Sequence, residues 1–427
     1  MAGAFPTRST IAAQQLSLLR KLLDRVSASN PFYRVKLGEI SPGDIRNLGE
    51  YSARVPLTTK AELVRDQENS PPFGTNLTFP PEAYTRFHQT SGTSGSPLRW
   101  LDTPESWEWM VQTWLEIFRA AGVGRSDRIL FAFSFGPFIG FWLAFEAGQK
   151  AGALCLPAGG LRSSARLKML MENQATVLCC TPTYALRLAE VAAEEKIDLQ
   201  RGAVKTIIVA GEAGGSIPAT RRRLEEVWPG ARIFDHHGMT EVGPVTHECP
   251  LRPGFLHVIE SACLAEIVDP ASGQGQPVGE TGELVLTTLG RTGSPLLRYR
   301  TGDLVKLVVV DPCACGRHGL GLEGGILGRS DDMVVIRGVN VYPSAIEGIL
   351  HRFPAVAQFQ ATVTRSGSLA ELAVSIEPRA GVADGAGLCE MIARELQAEL
   401  NLRVPVSLAG LEGLPRFEMK ARRWIMP

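Results

Sequence analysis

Between residues 128 and 235 the chain alternates short apolar runs with longer stretches of helical spacing. This alternation limits the fold more than any other feature. The runs Ile129–Phe133, Thr176–Cys180, Thr206–Ala210 and Arg232–Phe234 are largely apolar and too short for independent helices. Ser164–Asn173, Tyr184–Glu195 and Ala219–Val227 separate them and place apolar residues at helical spacing. Strands buried on both faces and joined by helical crossovers assemble into a parallel sheet covered by helices. Upstream, Leu16, Leu19, Leu23 and Val26 predict an amphipathic opening helix of roughly four turns that stops before Asn30-Pro31. Downstream, residues 255–310 break into β-rich runs (Cys263–Val268, Gly282–Thr288, Leu304–Val309), which predicts a more antiparallel region. After Gly328 the pattern resets. A helix is predicted from Pro343 to near Arg352, strands near Gln358–Thr364 and Ala370–Ile376, and a helix from Leu388 to Leu400. The expected fold class is α/β. A large N-terminal domain (1-330) combines helix-covered, mostly parallel sheets with a β-rich subdomain, and a small α+β C-terminal domain (331-427) follows.

Composition excludes several classes of function. Lys+Arg and Asp+Glu both number 44, and this balance argues against nucleic acid or an anionic membrane as the main partner. The longest apolar stretch, Ile129–Phe145, is broken by Gly, Ser and Pro, so no membrane span is expected. The N-terminus lacks a basic flank followed by an apolar stretch and a cleavage site, so a cytoplasmic location is expected. Eight cysteines in 427 residues are too few for a disulfide scaffold. Cys179 and Cys180 sit in an apolar run and read as core thiols.

Four segments carry chemistry. Gln89-Thr-Ser-Gly-Thr-Ser-Gly-Ser-Pro97 offers Thr90, Ser91, Gly92, Thr93, Ser94 and Gly95 as a loop whose amides and hydroxyls suit phosphate oxygens. The same loop also reads as a flexible Ser/Gly turn. No Gly-Lys-Ser/Thr closes it, so it is not a Walker loop. Phe234-Asp-His-His-Gly-Met-Thr-Glu241 follows a predicted strand, which places Asp235, His236, His237, Gly238, Met239, Thr240 and Glu241 at the ligand-binding end of the sheet. There an imidazole ring can stack on a purine, Thr240 can contact an α-phosphate, and Glu241 can hold Mg²⁺. Alternatively, Glu241 is a helix N-terminal acid. Tyr299-Arg-Thr-Gly-Asp303 ends on a carboxylate able to accept both ribose hydroxyls, although Thr-Gly-Asp is also a common turn. Lys420, after Pro415-Arg-Phe-Glu-Met, can neutralise charge on a carboxylate and α-phosphate; taken alone it is a solvated terminal lysine.

Thr90–Pro97, Gly238–Glu241, Tyr299–Asp303, Gly328–Pro343 and Pro415–Lys420, in that order, resemble the adenylate-forming (acyl-CoA synthetase/ligase) superfamily. Within it the chain is similar to the phenylacetate–CoA ligase branch, which Asn30-Pro-Phe-Tyr-Arg34 and Arg337-Gly-Val-Asn-Val-Tyr-Pro343 also fit. The resemblance covers essentially the whole chain. It implies ATP-dependent activation of an aromatic acid (phenylacetate-, benzoate- or aminobenzoate-type) to an acyl-AMP, then transfer to coenzyme A. It further implies that Thr240 and Glu241 serve the phosphates and Mg²⁺, Asp303 and Arg329 the ribose, and Gly211, Glu212 and Ala213 the adenine and acyl pocket. Lys420 would serve adenylation only, and the small mobile C-terminal domain would rotate about Asp331 between half-reactions. Two departures stand out. Ser96 occupies a position that usually carries lysine, and His237 one that usually carries an aromatic.

Phe131–Trp142 is dense in aromatics; Phe133, Phe135, Gly136 and Phe141, with Ala210, Gly211, His237, Gly238 and Thr240, are the expected acyl-pocket residues. Plain core packing explains the aromatics equally well. Cys249, His257, Cys313 and Cys315 supply four soft ligands suited to tetrahedral Zn²⁺, with His247 and His318 as substitutes for His257. Their alternative reading is three buried thiols and a surface histidine. A carrier-protein thiol is the alternative acyl acceptor, with Arg221–Arg223 as its landing patch or simply a solvated face. A non-catalytic ligand-binding homologue is the third reading. The expected partners are the acid, ATP and coenzyme A, with a carrier protein or a second copy of the chain as further candidates.

Overall fold

The computed structural model describes residues 5–90, 97–330, 332–337, 339–366, 369–410, 413–417 and 423–426. At its centre is a five-stranded, all-parallel sheet. Its strands run in the order Leu154–Pro157, Arg128–Phe131, Val177–Cys180, Thr206–Val209 and Arg232–Asp235. Val177–Cys180 and Thr206–Val209 are buried at every position, as apolar runs between helical crossovers require. Helices Ser163–Glu172, Pro182–Glu194 and Pro218–Val227 join the strands. The edge strand Leu154–Pro157 was not expected: it is only four residues long, is exposed at both ends and closes on a proline between glycine-rich turns.

The opening helix is longer than expected, Arg8–Ser29, because Ile11 and Gln15 are also buried on its inner face. Thr7 caps its start, and Asn30 ends it while its side chain accepts from Tyr33 N–H to cap the next helix, Pro31–Leu37.

The β-rich region is a six-stranded antiparallel sheet. Its order is Thr246–Cys249, Arg252–Val258, Gly319–Arg329, Tyr299–Val310, Thr281–Thr288 and Cys263–Val268. Its inner face packs Val258, Leu286, Val305, Leu307 and Leu322 into a second core. The C-terminal part has a core of its own, including Ile346, Phe359, Val374, Ile392 and Leu396. Strands Val356–Ser366 and Leu369–Pro378 form its central pair, flanked by Val406–Leu408 and Trp424–Ile425, with helices Pro343–Leu350 and Gly385–Leu400. Among the described residues no helix is long and apolar enough to cross a membrane.

Candidate active site

The site grows from the carboxyl end of Arg232–Asp235, the last parallel strand. Gly238–Met239 turns back to pair with Gly243–Pro244, so Thr240 and Glu241 fall at the tip of a tight hairpin. Gly238 has no room for a side chain, since a Cβ there would stand 2.9 Å from the Gly243 carbonyl oxygen. Helix Ile139–Lys150, which carries Phe141, packs against this hairpin.

His237 and Asp303 meet here. His237 Nε2 lies 2.9 Å from Asp303 Oδ2, and Arg329 donates to Asp303 Oδ1 at 2.9 Å. The antiparallel register sets Asp303 directly opposite Arg329, so the long strand Tyr299–Val310 brings the pair together. Burial pushes the Asp303 carboxyl up, but the hydrogen bond and charge of His237 and the charge of Arg329 outweigh it and hold the group below the usual carboxylate range. The carboxylate is thus held ionised, one oxygen toward His237 and the other toward Arg329.

Glu241 is buried, and its Oε1 accepts from the Tyr299 hydroxyl at 3.3 Å. Burial and the charge of Glu241 raise Tyr299 well above the ordinary tyrosine range, so it remains a donor. Lys60 Nζ stands 3.9 Å from the same oxygen. Sequence reasoning missed this lysine. Its local pattern, Thr59-Lys60-Ala61-Glu62, is a capping box and reads as a helix start. Only the pairing of Thr58 with the Tyr299 strand carries it to Glu241.

Other expected residues are placed differently. Asp235 is buried beneath the site; its carboxylate accepts from the Ser216 hydroxyl at 2.6 Å, and burial raises its pKa to about 6. His236 turns inward and meets the Trp114 ring edge-on at 4.5 Å; burial lowers its pKa to about 3, so it is neutral. Of the two rings, therefore, only His237 faces the Asp303 cluster. Gly211 has φ +92°, a conformation that favours glycine, directly after the strand end at Val209 and Ala210. The Glu212 carboxylate accepts from Thr183 N–H at 2.8 Å in the first turn of helix Pro182–Glu194. Ala213 is half-buried on the same turn. Met239, half-buried, packs on the β-sheet core. Thr90 closes the neck of its loop: its N–H donates to the Leu98 carbonyl and its Oγ1 accepts from Leu98 N–H, both at 3.0 Å. Ser91, Gly92, Thr93, Ser94, Gly95, Ser96, Asp331 and Lys420 lie outside the described residues.

Phe133 and Phe141 stack at 3.9 Å with 17° between ring planes. Phe135 meets Trp142 and Phe145 edge-on, and the Gly136 carbonyl accepts from Trp142 Nε1 at 3.0 Å. These rings form one aromatic wall at the end of strand Arg128–Phe131.

Within the Arg221–Arg223 run, Arg222 is exposed and Arg223 half-buried, but Arg221 departs from both readings. It is buried, its Nε and one NH donating at 2.9 Å to the carbonyls of Gly215 and Ile233, and it pairs with Glu248. Buried and fully engaged, it is neither a landing patch nor a solvated face.

Away from this site, ligand atoms of Cys249, His257, Cys313 and Cys315 all lie within 4.8 Å of one another. Cys249 ends one strand, His257 sits on its hairpin partner, and the two other thiols lie in the turn between Tyr299–Val310 and Gly319–Arg329. Burial and the charge of Arg317 lower His257 to about 4, which keeps the imidazole neutral, the form a metal requires. His318 is turned to Asp311, and His247 Nδ1 to the Glu248 carbonyl, so His257 needs no substitute. The donor set and its convergence fit a closed zinc site.

Residues 57–290 match the family described as AMP-binding enzyme, and residues 338–426 the AMP-binding enzyme C-terminal domain. The phenylacetate-coenzyme A ligase of Thermus thermophilus is 34% identical over 376 residues, 87% of this chain and 82% of that protein. The crystal structure of 2-hydroxyisobutyryl-CoA ligase in the postadenylation state with 2-HIB-AMP overlays with a TM-score of 0.94 at 29% identity, covering 99% of this chain and 91% of that one. Against the same ligase with 2-HIB-AMP and CoA in the thioesterification state, the TM-score is 0.75 at equal identity and coverage.

Proposed function

The chain belongs to the AMP-binding enzyme family of adenylate-forming acid–CoA ligases, and on that premise we propose that its acid is an aromatic carboxylate of the phenylacetate, benzoate or aminobenzoate type. The observation that carries this reading is the aromatic wall, with Phe133 and Phe141 stacked at 3.9 Å. Phe141, Trp142 and Phe145 of this wall stand on helix Ile139–Lys150, which packs against the Gly238–Glu241 hairpin. An aryl ring buried against such faces gains area and edge or face contacts together.

In the first half-reaction a carboxylate oxygen attacks the α-phosphorus of ATP and pyrophosphate leaves. Asp303 and Arg329 hold the ribose, His237 borders the adenine, and Thr240 donates to the α-phosphate. Glu241 would hold Mg²⁺, which would supply positive charge against that of the phosphates. Lys60 adds a cation beside Glu241, where the Thr90–Pro97 loop has Ser96 in place of lysine. Lys420 serves this step alone. In the second half-reaction the thiolate of coenzyme A attacks the acyl carbon and AMP departs, after residues 331-427 rotate about Asp331. Cys249, His257, Cys313 and Cys315, whose ligand atoms converge within 4.8 Å, would hold a structural zinc between two β-hairpins.

A second reading, a short branched hydroxy acid, draws on the overlay with 2-hydroxyisobutyryl-CoA ligase across 99% of the chain. Acyl-CoA formation measured over a panel of aryl and branched hydroxy acids separates the two. Higher kcat/KM for aryl acids is the expected result, and a preference for branched hydroxy acids replaces this reading with the second.

A further inference from the structure

We propose that Arg291 is a positioning residue that holds the Thr240–Glu241 turn in register with the hairpin carrying the Thr90–Pro97 loop. The inference rests on the adenylating role assigned above to those two segments.

Arg291 lies in the connection after strand Thr281–Thr288 and is wholly buried. Its Nε and one terminal nitrogen donate to the two carboxylate oxygens of Asp102, at 2.7 and 2.6 Å. The other terminal nitrogen donates to the backbone carbonyls of Thr240, at 2.6 Å, and Glu241, at 2.9 Å. Asp102 is the last residue of strand Arg99–Asp102, which pairs with Arg86–Gln89; the Thr90–Pro97 loop is the tip of that hairpin. One guanidinium therefore joins the Thr240–Glu241 backbone to the end of that hairpin where Asp102 faces Arg86, three residue pairs from the Gln89–Arg99 pair that precedes the loop. Trp100 lies beneath it, with the guanidinium carbon 5.3 Å from the ring centroid. His88, whose Nδ1 is 4.0 Å from Asp102 Oδ2, stacks on Trp107.

The side-chain chemistry is specific. Arginine presents five donors in one plane, enough for a bidentate carboxylate grip and two carbonyls at once. Lysine has three donors on one rotating nitrogen and cannot span this arrangement. A buried pair is weak evidence of stabilisation: burying two charges costs desolvation, and apolar replacements of such pairs often leave stability unchanged or raise it. What the pair does is aim two carbonyls. Because each peptide unit is planar, this fixes the orientation of the backbone from which the Thr240 and Glu241 side chains project.

Two variants test the proposal, each followed by thermal unfolding and by acid-dependent pyrophosphate release at varied ATP-Mg²⁺ and acid. Arg291→Lys keeps the charge beside Asp102 but not the grip on both carbonyls. Asp102→Leu/Arg291→Met replaces the pair with apolar side chains. The expected result is a folded protein whose kcat for pyrophosphate release falls by about tenfold to 100-fold, as misplacement of reacting groups costs, with KM for the acid unchanged. A folded variant of either kind with wild-type kcat overturns the proposal. So does failure of both variants to fold, which would make the pair a structural tie only. Absence of acid-dependent release from the wild-type protein would instead overturn the adenylating reading, and this inference with it.

Discussion

Lys60 Nζ stands 3.9 Å from Glu241 Oε1, a contact between a helix start near the N-terminus and the hairpin beyond the parallel sheet. It places a cation beside the carboxylate proposed to hold Mg²⁺, in a chain whose Thr90–Pro97 segment carries Ser96.

Lys60→Ala is expected to slow acid-dependent pyrophosphate release by roughly tenfold, about 1.4 kcal/mol of transition-state stabilisation, because this lysine is partly exposed. Ser96→Lys added to that variant is expected to recover most of the rate. Unchanged release in Lys60→Ala would remove the lysine from the phosphate site.

Much of this site was legible in the sequence because its chemistry is local. His237 and Glu241 follow one strand end, and Asp303 closes a glycine turn. The strand–helix alternation likewise gave the parallel sheet. What escaped depends on contacts between distant segments. Lys60 reads as part of a cap until Thr58 pairs beside Tyr299. Arg221 reads as one of three surface arginines until Glu248 is brought to it. The inward turn of His236 is equally invisible, since adjacent residues leaving a strand point opposite ways only once the strand is placed.

Asp303→Asn is expected to raise KM for ATP by about tenfold to 100-fold, the worth of a hydrogen bond made by a charged group, about 1.5–3 kcal/mol. The pH dependence follows from the lowered pKa. A carboxyl depressed in the folded state adds stability that is full above its unfolded value and is lost only as pH falls through the folded one. The difference in KM for ATP between wild type and Asp303→Asn should therefore persist down through the ordinary aspartate range and shrink only below it. A difference that disappears above that range would contradict the His237–Asp303–Arg329 arrangement.

Purified protein is expected to carry about one equivalent of zinc, since a Cys₃His set forms a closed tetrahedral site. Cys313→Ser/Cys315→Ser should lose the metal and unfold at lower temperature. Full zinc content in that variant, by elemental analysis, would disprove the site.

The proposed rotation of residues 331-427 has its own kinetic test. Thr220 Oγ1 lies 2.6 Å from His351 Nδ1, joining helix Pro218–Val227 to the residue that ends helix Pro343–Leu350. Burial lowers His351 to about 3, so this bond persists at neutral pH. Thr220→Val should slow pyrophosphate release by a few-fold, the worth of about 1 kcal/mol, and leave thioester formation from preformed acyl-AMP intact. Asp331→Pro should do the reverse and slow the thioester step. Equal effects on both steps, read by rapid-quench assay, would sink domain alternation.

The most direct test of the central claim follows a heavy-oxygen label from the carboxylate of the acid. Attack on the α-phosphorus leaves one carboxylate oxygen bridging acyl carbon and phosphorus, and thiolysis then breaks the acyl bond. The account predicts AMP carrying one labelled oxygen, with acyl-CoA formed in equal amount. Label appearing in inorganic phosphate or pyrophosphate, or AMP without label, would contradict it.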